Sequence, residues 1–193
     1  MHPSDLTQEQ RAALVNDSRA LYLSLWPDTP ITQACLFHAT ALQGLAMQRH
    51  DAILMLQAGS TSWPMVRKED DDGVCATHYS YEWEGLSSPA VHRSLVSMSL
   101  PELHVWLAHR DPDTLIDPTT GTWPDRAKAG GFTWSAVHPP EFLWGTQAEL
   151  ESHAADYAVV YAPEMSACQV AGKFASLEIV PTLAAALKLE RRR

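Results

Sequence analysis

The sequence predicts an α+β protein, with N-terminal helices packed on an antiparallel β-sheet. Three observations carry that expectation. Apolar residues recur at helical spacing before residue 50, alternating runs dominate the middle of the chain, and the two patterns do not interleave as βα units would. The 193 residues suit one domain, and 46% hydrophobic against 19% charged residues supply a sizeable core.

The first helix starts at Thr7-Gln8-Glu9-Gln10, a capping box in which Thr7 caps and Gln10 reaches back. Leu14, Val15, Leu21, Tyr22 and Leu25 follow at helical spacing, with Ser18 on the same stripe, and the helix is expected to stop near Trp26-Pro27. Pro30 closes the next loop, because a residue before proline avoids helix. A second helix is expected from Thr32–Cys35 to about Arg49, in a stretch rich in Ala, Leu, Gln and Met. Ala52 to Leu56 reads as a buried strand bounded by Gly59-Ser60, and Glu69 to Gly73 as a solvated acidic turn without the spacing of an EF-hand.

Alternation sets in at Thr77 to Trp83 and again at Leu103 to Ala108. Arg110 to Asp113 forms a turn, and Thr114 to Asp117 a returning strand. Residues from Gly121 to Gly145 read as a long irregular loop, Gln147 to Ala155 as helix, Tyr157 to Tyr161 as strand, and Thr182 to Glu190 as a closing helix. The organisation is therefore one domain over 1–193. Residues 1–30 hold the first helix and loop, 31–120 the core, and 121–193 the irregular loop and the last elements.

Charge narrows the function classes. Acidic residues number 23 and basic ones 14, a formal charge of −9, which opposes binding to nucleic-acid phosphates. The Arg191-Arg192-Arg193 end is the single basic block. The segment Met1 to Asp5 lacks the apolar stretch of a secretory signal, and no apolar run approaches the roughly 18 residues of a membrane span. Three cysteines, Cys35, Cys75 and Cys168, are too few and too odd for a disulfide framework. A cytoplasmic, reducing setting with free thiols is expected, with no nucleic-acid or membrane partner.

Cys35, His104 and Asp117 carry the chemistry. A thiol at a helix N-terminus feels the positive end of the dipole, a histidine can hold or move its proton, and a carboxylate can orient that histidine. Parity tests the arrangement. A four-residue turn from Arg110 to Asp113 pairs Ala108 with Leu115, Trp106 with Asp117 and His104 with Thr119, so His104 and Asp117 share a face. An odd turn would separate them.

These pieces resemble the papain-like cysteine-hydrolase superfamily in its transglutaminase-like branch. The matching segments are Ala34-Cys35-Leu36 opening a helix, Leu103-His104-Val105-Trp106-Leu107 on a strand, and Leu115-Ile116-Asp117-Pro118-Thr119 on the next. The family's strand reads His-x-Trp and its aspartate precedes Pro-Thr. The resemblance implies a helix packed on an antiparallel sheet, with Cys35 as nucleophile, His104 as base, Asp117 as orienter and Trp106 lining the pocket. It implies thiol acyl transfer on a peptide, protein or small amide without a cofactor. Two departures stand: Ala34 and Leu36 flank the cysteine where transglutaminases often have Trp, and Thr29 stands where papain-like proteases carry glutamine. Gln33 or Trp26, with the Cys35 backbone N–H, are the oxyanion candidates.

Two other classes use the same residues. Cys35-x-x-His38 and Cys75-x-x-His78 form two C-x2-H pairs that would suit a Cys2His2 zinc site, although neither sits on a knuckle. Seven tryptophans, several between Trp123 and Trp144, would suit an aromatic recognition surface on a non-enzymatic module. Cys75 and Cys168 are read as structural.

Overall fold

Thr7 opens α1 (Gln8–Leu25) through the reciprocal bonds of a capping box: its Oγ1 accepts from the Gln10 N–H at 3.2 Å, and Gln10 Oε1 accepts from the Thr7 N–H at 2.8 Å. Leu14, Val15, Ser18 and Tyr22 turn inward, the stripe the spacing predicts. The computed structural model describes residues 5–27, 34–64, 78–109, 114–131, 134, 138–146 and 160–190. Helix α2 (Cys35–His50) follows, and Asp51 ends it in the left-handed region with φ of 51°. Nearly the whole first half of α2 is buried, including Leu36, Phe37, Ala39, Leu42 and Leu45.

Among the described residues, six strands form one antiparallel sheet: β1 (Met55–Pro64), β2 (His78–Tyr81), β3 (His104–Ala108), β4 (Thr114–Asp117), β5 (Leu143–Thr146) and β6 (Val160–Pro163). Their order is β2-β1-β3-β4-β5, with β6 also paired to β1. The coarse fold is thus α+β, helices on an antiparallel sheet. Strand alternation splits the core in two. Ala58, Val105, Leu107 and Ile116 face α1 and α2, while Trp63, Tyr81, Trp106 and Leu115 face the other way and pack with Trp123 and Leu143. Each large apolar side chain buried in these layers contributes about 1.5–3 kcal/mol relative to exposure.

Several elements differ from their sequence expectation. Gly59-Ser60 lies inside β1 rather than ending it. A Cβ on Gly59 would stand 2.1 Å from the Ala162 carbonyl oxygen, so glycine here serves the close approach of β6 and not a turn. Between β2 and β3 the chain forms α3 (Pro89–Val96), started by the Ser88 cap on the Ala90 N–H and by proline at its first position. The stretch expected as loop after Gly121 holds a 3-10 turn (Thr120–Thr122), α4 (Trp123–Ala129) and β5; Pro124 sits near the start of α4, where a missing N–H costs nothing. Strand β6 is described from Val160 to Pro163, and residues 157–159 of the expected strand lie outside the described residues.

The closing helix begins far earlier than Thr182. Helix α5 (Met165–Phe174), a π segment (Ala175–Ile179) and α6 (Val180–Glu190) run on without a break. Pro181 has no N–H for the carbonyl one turn before it, and the wider π turn absorbs that defect. The expected acidic turn at 69–73, the hairpin turn at 110–113 and the helix at 147–155 lie outside the described residues. Among the described residues, no helix is long and apolar enough to cross a membrane.

Candidate active site

Cys35 is the first residue of α2 and is 7% exposed. Its cap residue, Ala34, has no side chain able to bond the free N–H groups of the first turn. The positive end of the helix dipole lies at the Cys35 thiol. Cys35 lies within hydrogen-bonding and charge-attraction range of His104, the first residue of β3.

The β3–β4 register places His104 beside Asp117. Leu107 pairs with Ile116, the register that a four-residue turn requires, so Asp117 stands opposite Trp106 and shares a face with His104. His104 Nε2 lies 2.7 Å from Asp117 Oδ2, with side chains 1% and 0% exposed. A carboxylate only accepts, so Nε2 carries the proton and donates.

Asp117 is saturated. Its Oδ1 accepts from the Thr119 N–H at 2.8 Å and the Thr119 hydroxyl at 2.7 Å, and its Oδ2 also accepts from the Tyr161 hydroxyl at 2.6 Å. The Asp-Pro-Thr motif thereby gains a physical reason: Pro118 bends the chain and Thr119 returns two donors to the carboxylate. Burial alone would raise the Asp117 pKa, but the charge and hydrogen bond of His104, then Tyr161 and Thr119, hold it below the usual carboxylate value.

The remaining nitrogen of His104, Nδ1, is buried and has no aligned hydrogen-bond partner among the described residues. Cys35 lies close enough for the two groups to influence each other's titration. Burial would raise the Cys35 pKa, yet hydrogen bonding and charge attraction from His104, with a hydrogen bond from the Val105 backbone, bring it below the ordinary thiol value. Burial likewise pulls His104 down, but the charge and hydrogen bond of Asp117, aided by Cys35, lift it to about 9. The three shifts all run in the direction that favours the charged forms of Cys35, His104 and Asp117.

Aromatic rings hold the imidazole. Tyr81 stacks on it at 5.1 Å, Trp123 meets it edge-on at 5.0 Å, and Trp106 lies at 6.1 Å. Trp106 is 3% exposed and packs on Tyr161, so it is a buried wall behind His104 and not an open pocket surface. Trp123 is equally buried, which takes the first tryptophan of the expected aromatic surface into the core.

The other expected site residues are described only in part. Trp26 packs against Phe37 at 4.2 Å and stacks on Tyr22, and these contacts fix its ring. Gln33 lies outside the described residues, as do Cys75 and the side chain of His78. His38, the remaining member of the zinc pairs, is 1% exposed against Tyr22 and Phe37. Among the described residues, no three His, Cys, Asp or Glu side chains converge as a metal site. Cys168 is half-buried, its sulfur against the Ala58 N–H at 3.2 Å, in keeping with a packing role.

Sequence reasoning missed Tyr161, Thr119, Tyr81 and Trp123 as site neighbours. Only Thr119 left a signal, in the motif that follows Asp117. Tyr161 reaches the site through β6 on β1 and Tyr81 through β2 on β1, while Trp123 comes from α4.

No protein-family model matches this chain, and no curated protein is similar to it. Among solved structures, one described as genomics APC5867 overlays with a TM-score of 0.48 at 11% identity, over 93% of this chain and 75% of that one.

Proposed function

We propose that the chain is a thiol-dependent acyl-transfer enzyme of papain-like, transglutaminase-like type, acting on an amide, peptide or ester carbonyl. The observation that carries this reading is the row Cys35–His104–Asp117, with His104 Nε2 at 2.7 Å from the carboxylate and the thiol pKa lowered at the start of a helix. The order of these residues along the chain and their His-x-Trp and Asp-Pro-Thr settings support it further.

The chemistry balances without a cofactor. The Cys35 thiolate attacks the carbonyl carbon; a C–S bond forms and the carbonyl π pair moves to oxygen. The Cys35 N–H and its uncapped neighbours in the first turn of α2 are the donors for that oxyanion. The imidazolium of His104 passes its proton to the leaving nitrogen or oxygen as the bond to carbon breaks, leaving a thioester. Neutral His104 then takes a proton from water or an amine, which attacks the thioester and releases the thiolate. Asp117 stays ionised throughout and keeps the ring oriented. A compartment that keeps Cys35 reduced is a requirement of this scheme.

The experiment is acyl-enzyme trapping. Incubating the protein with an activated ester such as p-nitrophenyl acetate, followed by peptide mass spectrometry, is expected to find acetyl on Cys35. It is expected to find none there in His104→Ala. Acetyl distributed over lysines alone, with Cys35 unmodified, would defeat the reading.

A further inference from the structure

One side chain reaches the buried row from outside the β3–β4 hairpin. Tyr161 lies on β6, held to β1 by pairs that run from Gly59 with Pro163 to Ser62 with Val160. Its hydroxyl donates to Asp117 Oδ2 at 2.6 Å, the oxygen that also accepts from His104 Nε2. Its ring meets Trp106 edge-on at 5.1 Å and His104 at 6.1 Å. Hydrogen bonds to an ionised carboxylate are among the strong ones, and two donors on one oxygen draw on the same electron density.

We infer that Tyr161 is a positioning residue for this site: its hydroxyl and its ring together set how tightly Asp117 holds the His104 imidazole. This inference rests on the acyl-transfer reading of Cys35, His104 and Asp117. With the phenol in place, Oδ2 is a weaker acceptor toward His104, and the imidazolium gives up its proton to a leaving group more readily. Without it, the carboxylate grips the ring harder and the proton is held longer. Tyr161 therefore trades strength of the ion pair for ease of proton transfer.

Other ionisable groups lie around this pair and are the same in all three proteins. They are Cys35 and His38 on α2, Arg19 on α1, Tyr81 on β2, and Arg126 on α4, whose guanidinium lies 4.4 Å over the Tyr81 ring. None of them is altered when the Tyr161 hydroxyl is removed.

The experiment follows the His104 ring by NMR through a pH titration in three proteins. These are the wild type, Tyr161→Phe, and a protein with ortho-fluorinated tyrosine placed at position 161. The phenylalanine keeps the ring on Trp106 and loses the donor; the fluorinated ring has the same shape and a stronger donor. The His104 midpoint is expected to rise by about half a pH unit or more in Tyr161→Phe. It is expected to fall in the fluorinated protein. Midpoints that coincide in wild type and either variant would overturn the role of Tyr161. A structural role alone would lower the thermal midpoint without moving the two titrations in opposite directions. Should Tyr161→Phe not fold, the fluorinated protein decides alone. The parent reading fails separately, by a wild-type His104 that titrates in the ordinary histidine range near 6.5.

Discussion

Asp117 Oδ2 accepts two hydrogen bonds, from His104 Nε2 at 2.7 Å and from the Tyr161 hydroxyl at 2.6 Å, in a place with no exposed surface. Four donors in all converge on this carboxylate. It is the most heavily bonded side chain of the site, and consequences for stability as well as chemistry follow from that saturation.

Asp117→Asn is expected to damage both. The amide nitrogen turns a donor toward His104 or Tyr161, which are donors themselves, and the imidazolium loses its counter-charge. Breaking a buried charge pair from one side costs about 3–5 kcal/mol. A lowered thermal midpoint, together with slower Cys35 alkylation near neutral pH, is the expected result. A melt unchanged from wild type would mean that the carboxylate does not hold a charged ring.

The two described cysteines should differ in reactivity. Cys35 sits at a positive helix end beside His104, whereas the Cys168 sulfur is engaged with Ala58 and Gln57. Limited labelling with iodoacetamide is expected to modify Cys35 about tenfold faster or more, since the thiolate is the nucleophile. Equal rates for both would remove the activated thiol from the account.

His38 confers a pH dependence on stability. Among the described residues neither of its ring nitrogens has a hydrogen-bond partner, and burial, then the Arg19 charge, push its pKa down to about 4, against a smaller upward pull from Asp117. The unfolded chain takes up the proton near 6.5, so the contribution is fully present above that value and is lost as pH falls toward about 4. Its full size is on the order of 3 kcal/mol. His38→Leu removes two unsatisfied nitrogens, so it is expected to melt at or above wild type near neutral pH. It should also lose less stability on acidification, read from thermal melts across that window. Parallel pH curves for the two proteins would show that His38 titrates normally in the fold.

Gly59→Ala tests the seating of β6. The added methyl meets backbone, with Ala162 oxygen at 2.1 Å and Glu164 nitrogen at 3.0 Å, so the strands must part. Destabilisation of about 1–3 kcal/mol is expected from overpacking. A shifted His104 resonance is expected with it, because β6 carries Tyr161. Unfolding curves that match wild type would show that β6 does not press on β1.

How much of this was legible in the sequence follows from the range of the interactions. The capping box at Thr7 and the start of α2 at Cys35 are local, and local patterns reported them. The β3–β4 register was legible because a side-chain period of two and a turn of fixed length leave one parity for His104 and Asp117. Helices α3 and α4 were not, because each is short and its start signals, Ser88-Pro89 and Trp123-Pro124, lie among residues that also make loops. Tyr161 was invisible as a site residue: it joins Asp117 across 44 positions through a strand pairing that no local spacing encodes.

In the acyl-transfer reading, Cys35 and His104 form an ion pair in the resting protein. The most direct measurement is the ultraviolet absorbance of the thiolate, taken as the difference between wild type and Cys35→Ser during a pH titration. The account predicts that the Cys35 signal is already present near neutral pH. It also predicts that the His104 ring loses its proton only near about 9. A Cys35 thiolate that first appears in the ordinary thiol range, near 8.5 or above, with His104 neutral at pH of about 7, would contradict it.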